Sequence, residues 1–467
     1  MGAIVGRQRK QKLRGEQSFE GGVNTGVSLF AISDNETMDE TGFDFDEYPA
    51  AAVRKGRTRY GSAGSGKVRL LAPFGTAHMV RAVGGVLSYN SSGTTWTQIA
   101  TGLADADWSW TNFNDKLILT NGTDNVKVWD GNTLSDLNAS DAPKGKFIAS
   151  SLTRVYIAHD GDQISFSAFQ DETDWTSPEN SGTDQFYTPN GGEITALTFF
   201  RDQVTAFKRD AMAVYYGNNY YNQQLVTVSN DIGCVSAKTV VEVGEVLIWL
   251  GENNVYAYSG GLPQPIGDRI RGYLNRINRA AESRCTAFTD GLRYYLCLCL
   301  DNAQEPNLRL VYDTRYARWR VCAQNEQYTY GVRFKNVVYA GDANGQIWKP
   351  VDGDTDDGSP IPWSLTTGPK DEGWPEAEKT YLELHLQGEF RTGTTLKTWI
   401  STTDQGENFV EVPYDPTTAA DYGQNRNVLI PLDTVPMTHK ARFRLSGTGR
   451  VKIERMQRYF RVQRIQR

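Results

Sequence analysis

Between Asp107 and Gly131 the chain alternates apolar and polar positions in three short bursts separated by turn residues. Trp108 to Phe113 carries Trp108 and Trp110 on one face at period two, the spacing of a strand. Asn114-Asp115 is a two-residue polar turn, Lys116 to Thr120 is an apolar run, and Asn121 to Asp124 is a second turn whose Asn and Gly tolerate positive φ. Val126, Val128 and Trp129 form a third strand that Asp130-Gly131 ends. A single meander of this kind leaves its apolar faces uncovered, so the pattern asks for copies of itself.

Copies recur at a spacing of about 40 residues, the length of a propeller blade. They begin near Val80, Phe147, Ile194, Thr239, Ala287 and Tyr328. Each reads as an apolar strand, a polar turn, a second apolar strand, a Gly/Asn/Asp turn and a strand with an aromatic near its end. The order predicts an all-β fold: a β-propeller of six or seven blades over residues 65–350, with Trp110, Trp129, Trp249, Trp319 and Trp348 in its core. A single large sandwich is the competing architecture, but it does not explain why turn and aromatic recur in the same order. Leu262 to Asn278 interrupts the repeat. Ile270, Leu274 and Ile277 there fall at helical spacing, predicting a short helix with Asp268 as its N-cap.

Residues 1–64 carry no repeat and read as an extended arm and linker, with a strand to spare for closing the ring. Residues 351–378 read as a turn-dense linker. Residues 379–467 read as a β-sandwich of short strands with a basic tail.

Composition adjusts this picture only at the ends. High Trp, Tyr and Gly suit a turn-rich β class. No apolar run reaches membrane-spanning length and no N-terminal stretch resembles a signal peptide, so assembly in a cytosol without membrane insertion is expected. Cys234, Cys285, Cys297, Cys299 and Cys322 are odd in number and sit in or beside apolar strands, which predicts buried free thiols.

The net charge of −6 hides a basic start, an acidic block from Asp34 to Glu47 and a basic finish. Arg7, Arg9, Lys10 and Arg14 at one end, and Arg458, Arg461, Arg464 and Arg467 at the other, are candidate partner contacts. Strict alternation through the closing segment puts Val451, Ile453, Arg455 and Gln457 on one face and Lys452, Glu454, Met456 and Arg458 on the other. Neither face is apolar, so the pattern predicts a segment docked on an acidic partner rather than a core strand. Protein is favoured over DNA as that partner, because the bulk charge is acidic and aromatic–basic clusters are few.

Motifs with chemistry fall short of a site. Thr402 to Phe409 matches an Asp-box, with Asp404, Gly406 and Phe409 as its structural positions. Asp-boxes staple hairpins in sialidase propellers and in non-enzymes alike. No pair of acids is singled out for glycoside hydrolysis. The four His are scattered, without metal-ligand spacing. Gly61 to Lys67 imitates a phosphate loop, but Val68 stands where a Ser or Thr would hold magnesium. Asp352, Asp354 and Asp356 alternate as in a calcium loop, but Asp357 occupies the obligatory glycine position. The expectation is a protein without catalytic residues, metal or cofactor.

Taken in order, the motifs resemble the tail-nozzle, or packaged-DNA stabilisation, proteins of short-tailed bacteriophages. The resemblance rests on Gly21-Gly22-Val23-Asn24, the segment ending Arg54-Lys55-Gly56, Phe199 to Asn219, Asn230 to Val240 and Leu262 to Leu274. It continues through Leu308 to Val321, Tyr330 to Trp348, the Asp-box and the basic closing strand. It implies a structural virion protein of the phage tail, assembled in the host cytoplasm as a homo-hexameric ring. That ring would sit below the adaptor and portal-side ring proteins, with tail fibres among its neighbours. Genomic DNA would be held in its channel without sequence recognition and released at ejection. The alternative is a glycan-active propeller, either a sialidase-like hydrolase or a receptor-binding lectin.

Overall fold

The computed structural model describes residues 12–463 apart from 218, 404–406, 420–421 and 424–425. The two-residue turns expected from the polar punctuation are present. Asn114-Asp115, Arg201-Asp202 and Lys335-Asn336 hold both residues at positive φ, between 47° and 62°. That geometry matches the right-handed twist of the strands it joins. Each of the three connects the first strand of a sheet to the second.

Repetition of this unit builds a β-propeller of seven four-stranded antiparallel sheets, resolving the expectation of six or seven. The first strand of each sheet lies inside: Val68–Phe74, Ser109–Phe113, Phe147–Ser150, Ile194–Phe200, Val241–Val243, Thr286–Thr289 and Tyr328–Phe334. Successive inner strands contact one another, except that the fourth meets the 3-10 turn Ala237–Thr239 ahead of the fifth, and the seventh returns to the first. The last sheet takes its outermost strand, Thr58–Arg59, from the start of the chain, in register Trp348↔Arg59 and Lys349↔Thr58. Guanidinium groups of Arg57 and Arg59 lie over the Trp348 ring at 4.3 and 5.4 Å. Closing the ring this way pairs an edge that would otherwise template association.

Packing follows the blades. Leu70 and Val80 of the first sheet meet Trp108, Leu117 and Trp129 of the second. Ala196 and Phe207 of the fourth meet Leu247 and Trp249 of the fifth. Trp129, Trp249, Trp319 and Trp348 are buried, whereas Trp110 is half-buried. The five cysteines are free and buried. The interrupting helix is shorter than expected: a 3-10 turn, Asp268–Ile270, runs into one α turn, Arg271–Leu274. Ile270, Leu274 and Ile277 are buried as the spacing required. Asp268 is not its cap; its carboxylate accepts from Asn254 Nδ2 at 3.0 Å and from Arg271 Nη2 at 2.7 Å.

The second compact unit gathers residues up to 56, residues 318–323 and residues from 353 onward. It contains two six-stranded sheets. One is built on the long strands Lys379–Phe390 and Val451–Val462; the other centres on Pro362–Thr367 and Arg442–Thr448. Both contribute to one core, including Trp363, Leu384, Phe443, Leu445, Ile453 and Phe460.

Two expected boundaries are thereby corrected. The arm is not laid over finished surfaces, because Leu13–Gln17, Glu36–Thr41 and Ala51–Val53 are members of the sheets. The linker 351–378 contains Pro362–Thr367, which is paired on both sides. The acidic block is also not a solvated run. Glu36, Glu40 and Asp44 are buried, and Glu40 accepts from Arg320 Nη1 at 3.0 Å and Thr37 Oγ1 at 2.9 Å.

The closing strand corrects the third expectation. Gln387 pairs with Arg455 and Gly388 with Ile453, leaving Glu454 as an extra residue. This β-bulge reverses the alternation halfway along the strand. Val451 and Ile453 face the core before it; Met456, Arg458 and Phe460 face inward after it. The segment is a core strand, and its mixed faces are the signature of the bulge.

Candidate functional site at the propeller axis

The inner strands leave a cavity of about 960 Å³ along the axis of the seven sheets. Its wall is built from short side chains alternating with aromatics, because inner strands converge and only every second residue points inward. Trp110, Phe147, Phe199, Tyr330 and Val332 supply the apolar surface, and Thr111, Ser150 and Thr198 the hydroxyls. Hydroxyls also stitch one blade to the next. Ser109 Oγ accepts from Ile148 N at 3.1 Å, Thr111 and Ser150 share a 2.6 Å hydrogen bond, and Thr329 Oγ1 donates to Val68 O at 2.7 Å.

Charge collects where the inner strands begin. Lys238 Nζ lies 2.8 Å from Asp107 Oδ2, and Arg69 reaches both Asp107, at 3.2 Å, and Asp105, at 3.1 Å. Beside them Lys67 pairs with Glu305 at 2.8 Å. Burial pushes the Asp107 carboxyl up, but Lys238, Lys67 and Arg69 together outweigh it and hold it below its ordinary value. Burial pulls the Lys67 ammonium down, with Glu305 acting against that shift. Lys67 is thus committed to a carboxylate in the stretch that imitates a phosphate loop.

Because the folded carboxyl of Asp107 titrates lower than the unfolded one, its contribution to stability is present above the unfolded value. That contribution is lost as pH falls through the folded value. Lys238→Met removes the largest opposing charge and leaves the burial. The Asp107 carboxyl should then titrate upward, which carbon-13 carboxyl NMR reads directly; an unmoved midpoint would show that Lys238 does not set it.

Among the described residues no group of three or more His, Cys, Asp or Glu is placed to hold a metal ion. One constellation escaped the sequence pattern. His159 Nδ1 lies 2.9 Å from Asp160 Oδ2, and its Nε2 lies 2.7 Å from Ser165 Oγ, which shares a further 2.7 Å bond with Thr183 Oγ1. The His159↔Gln163 register of the hairpin brings His159 and Ser165 together, so spacing six across a tight turn was the available signal. Ser165 is buried in the third sheet and its oxygen is already shared with Thr183, so the chain of bonds ties strands together.

The partner-contact candidates are not gathered at one place. Arg7, Arg9, Lys10, Arg464, Arg467, Asp404 and Gly406 lie outside the described residues. Arg14 makes an exposed pair with Glu16 at 2.9 Å. Arg461 is exposed on the closing strand. Arg458 is not available to a partner: it is buried, with Nε 2.6 Å from Glu372 Oε1. Phe409 of the Asp-box is half-buried under Arg444, whose guanidinium lies 4.0 Å from the ring centre. The aspartates of the calcium-like stretch hold protein groups. Asp352 accepts from Thr58 Oγ1 at 2.6 Å, Asp354 meets Arg391 at 3.1 Å, and Asp356 takes a bidentate pair from Arg54 at 2.7 and 2.9 Å.

No protein-family model matches the chain, and no curated protein matches it. Solved structures similar to the chain include β-propeller proteins. The extracellular domain of a one-component system from B. thetaiotaomicron aligns at 10% identity and TM-score 0.46, over 63% of this chain and 40% of that one. YCF48 from Cyanidioschyzon merolae aligns at 9% identity and TM-score 0.44, over 63% of this chain and 98% of that one. BamB from Moraxella catarrhalis aligns at 10% identity and TM-score 0.38, over 67% and 99%. The chain thus spans well under half of the first of these proteins. Such likeness bears on the fold alone, which the seven closed sheets establish directly.

Proposed function

We propose that this chain is a structural, non-enzymatic virion protein: the ring-forming nozzle subunit of a short phage tail, closing the DNA channel until ejection. The observation that carries the reading is where the ordered motifs fall. Phe199 to Tyr216 spans three strands of the fourth sheet, and Tyr330 to Trp348 spans most of the last. The opening Gly21 to Asn24 and the segment ending Arg54-Lys55-Gly56 belong to the second compact unit. The string of weak matches therefore covers framework elements in both units, and its stretches at Phe199, Val235 to Val240 and Tyr330 to Val332 also line the axial cavity.

Two features support a load-carrying role. A propeller whose last blade is completed by an N-terminal strand leaves no gap in the ring, which suits a part that must persist outside a cell. The net charge of −6 disfavours tight retention of DNA by counterion release, so a channel built from such subunits lets DNA move.

The test is mass and complementation. Native mass spectrometry of particles carrying the protein should give six copies per ring. Heads packaged without it should lose their DNA, and purified protein added before that loss should prevent it. Full retention of DNA by heads that lack the protein would sink the proposal.

A further inference from the structure

Exposed apolar side chains on the propeller concentrate at one end. Leu152 is 72% exposed, Phe169 52%, Tyr221 78% and Leu262 65%. All four sit in loops that join first to second or third to fourth strands, on blades three to five. In a meander sheet those loops emerge at the same end, opposite the charged mouth where the inner strands begin. Patches of this kind on an otherwise polar surface mark contact sites.

The loop of the fourth blade has a distinct chemistry. From Ala211 to Asn230 the sequence contains no Asp, Glu, Lys, Arg or His. Tyr216, Tyr220 and Tyr221 are exposed there, with Asn219, Asn222 and Gln224 around them. The loop is braced from within. Asn219 Oδ1 accepts from the Tyr221 and Asn222 backbone at 3.1 and 3.2 Å, and Asn222 Oδ1 accepts from Asn219 N at 3.0 Å. Tyr220 and Tyr221 meet edge to face at 5.6 Å, and Tyr221 Oη donates to Glu179 at 2.7 Å. Behind them Tyr156 Oη donates to Gln223 Oε1 at 2.9 Å. The aromatic faces are therefore pre-set, which lowers the ordering cost of binding.

We propose that this loop is a binding site for a neutral glycan. Pyranose rings present an apolar C–H face that stacks on Tyr, and hydroxyls that match the donors and acceptors of planar amides. A charged partner would find no counter-charge on the loop, and the Glu179 carboxylate at its edge repels anionic sugars while accepting from neutral hydroxyls. Protein-binding hot spots pair aromatics with Arg, which this loop lacks. The inference does not depend on the virion reading: sugar binding and ring mass are separate measurements and fail separately.

The experiment titrates the full-length protein with hexamers of glucose, galactose and N-acetylglucosamine, read by saturation-transfer NMR. At least one neutral hexamer should bind, and Tyr221→Ala should weaken it by about tenfold or more. Tyr187→Ala, an exposed Tyr at the opposite end, should leave binding unchanged. A polysialic acid hexamer should bind more weakly than the neutral sugar. Absence of any neutral-sugar signal at about 10 mM would overturn the proposal, since that lies beyond the weakest useful affinity. So would binding that survives Tyr220→Ala and Tyr221→Ala together, or a protein captured through the loop in place of a sugar.

Discussion

Replacing Arg458 with Ala is expected to lower the stability of the two-sheet unit by about 3–5 kcal/mol, the penalty for stranding a buried charge. Arg458 holds Glu372 through Nε at 2.6 Å and Nη2 at 3.1 Å, and Tyr381 Oη lies 3.3 Å from the same carboxylate. Burial works against the Arg458 charge, and Glu372 more than restores it. Gly15 lies so close over the pair that an added Cβ would collide with the Glu372 carboxylate, which closes that side of the pair. Glu372→Ala should do comparable damage for the mirrored reason. The double variant Glu372→Leu/Arg458→Met should lose much less than the two single losses added together, because no charge is left unpaired. Chemical denaturation of the unaltered protein, Glu372→Leu, Arg458→Met and their double variant gives the cycle. An Arg458→Ala loss within about 0.5 kcal/mol would return this residue to the exposed, partner-docking segment that the charge pattern predicts. By the same reasoning, deletion from Tyr459 onward should destabilise the fold, since Phe460 is part of the core.

Trp249→Ala should be comparably severe in the propeller, about 3–5 kcal/mol for a large core cavity. The indole is fully buried between the fourth and fifth sheets, 5.0 Å from the Phe207 ring, and its Nε1 donates to Gly233 O at 2.9 Å. Removing it opens a void and orphans a carbonyl at a blade junction. Trp374→Ala is the control, since that ring is half-exposed; it should change stability by no more than about 0.5 kcal/mol. Near-ultraviolet circular dichroism followed through thermal unfolding separates the two. Equal effects would mean that the blade interface is not what Trp249 supports.

The blades were legible because each is local. A strand, a turn and the next strand lie within one stretch of sequence, so alternation and positive-φ turn residues such as Asn114-Asp115 identify them without knowledge of the partner sheet. The two-sheet unit was legible only in part because its pairings join residues hundreds of positions apart. Glu36–Thr41 is a short strand rich in acids, and nothing near it in the chain announces Arg320. The axial cavity was not legible at all. Its lining comes from the inner strands of six blades, which lie far apart in the sequence.

By itself the sequence determined the all-β class, the repeat, the closing of the ring with an N-terminal strand, and the burial of the cysteines and most of the tryptophans. These follow from periodicity and from turn chemistry, which act over a few residues. Tertiary structure alone decided the fate of the charges. Strict alternation assigns Arg458 to the face of Lys452, but the extra residue Glu454 shifts the phase, and Arg458 turns inward to Glu372. A bulge of one residue leaves no mark in composition, and its position depends on the partner strand Lys379–Phe390, whose register shifts between Gln387 and Gly388. Whether a run of arginines is a surface or a core is settled by the carboxylate that meets it, and that carboxylate is brought there by the fold.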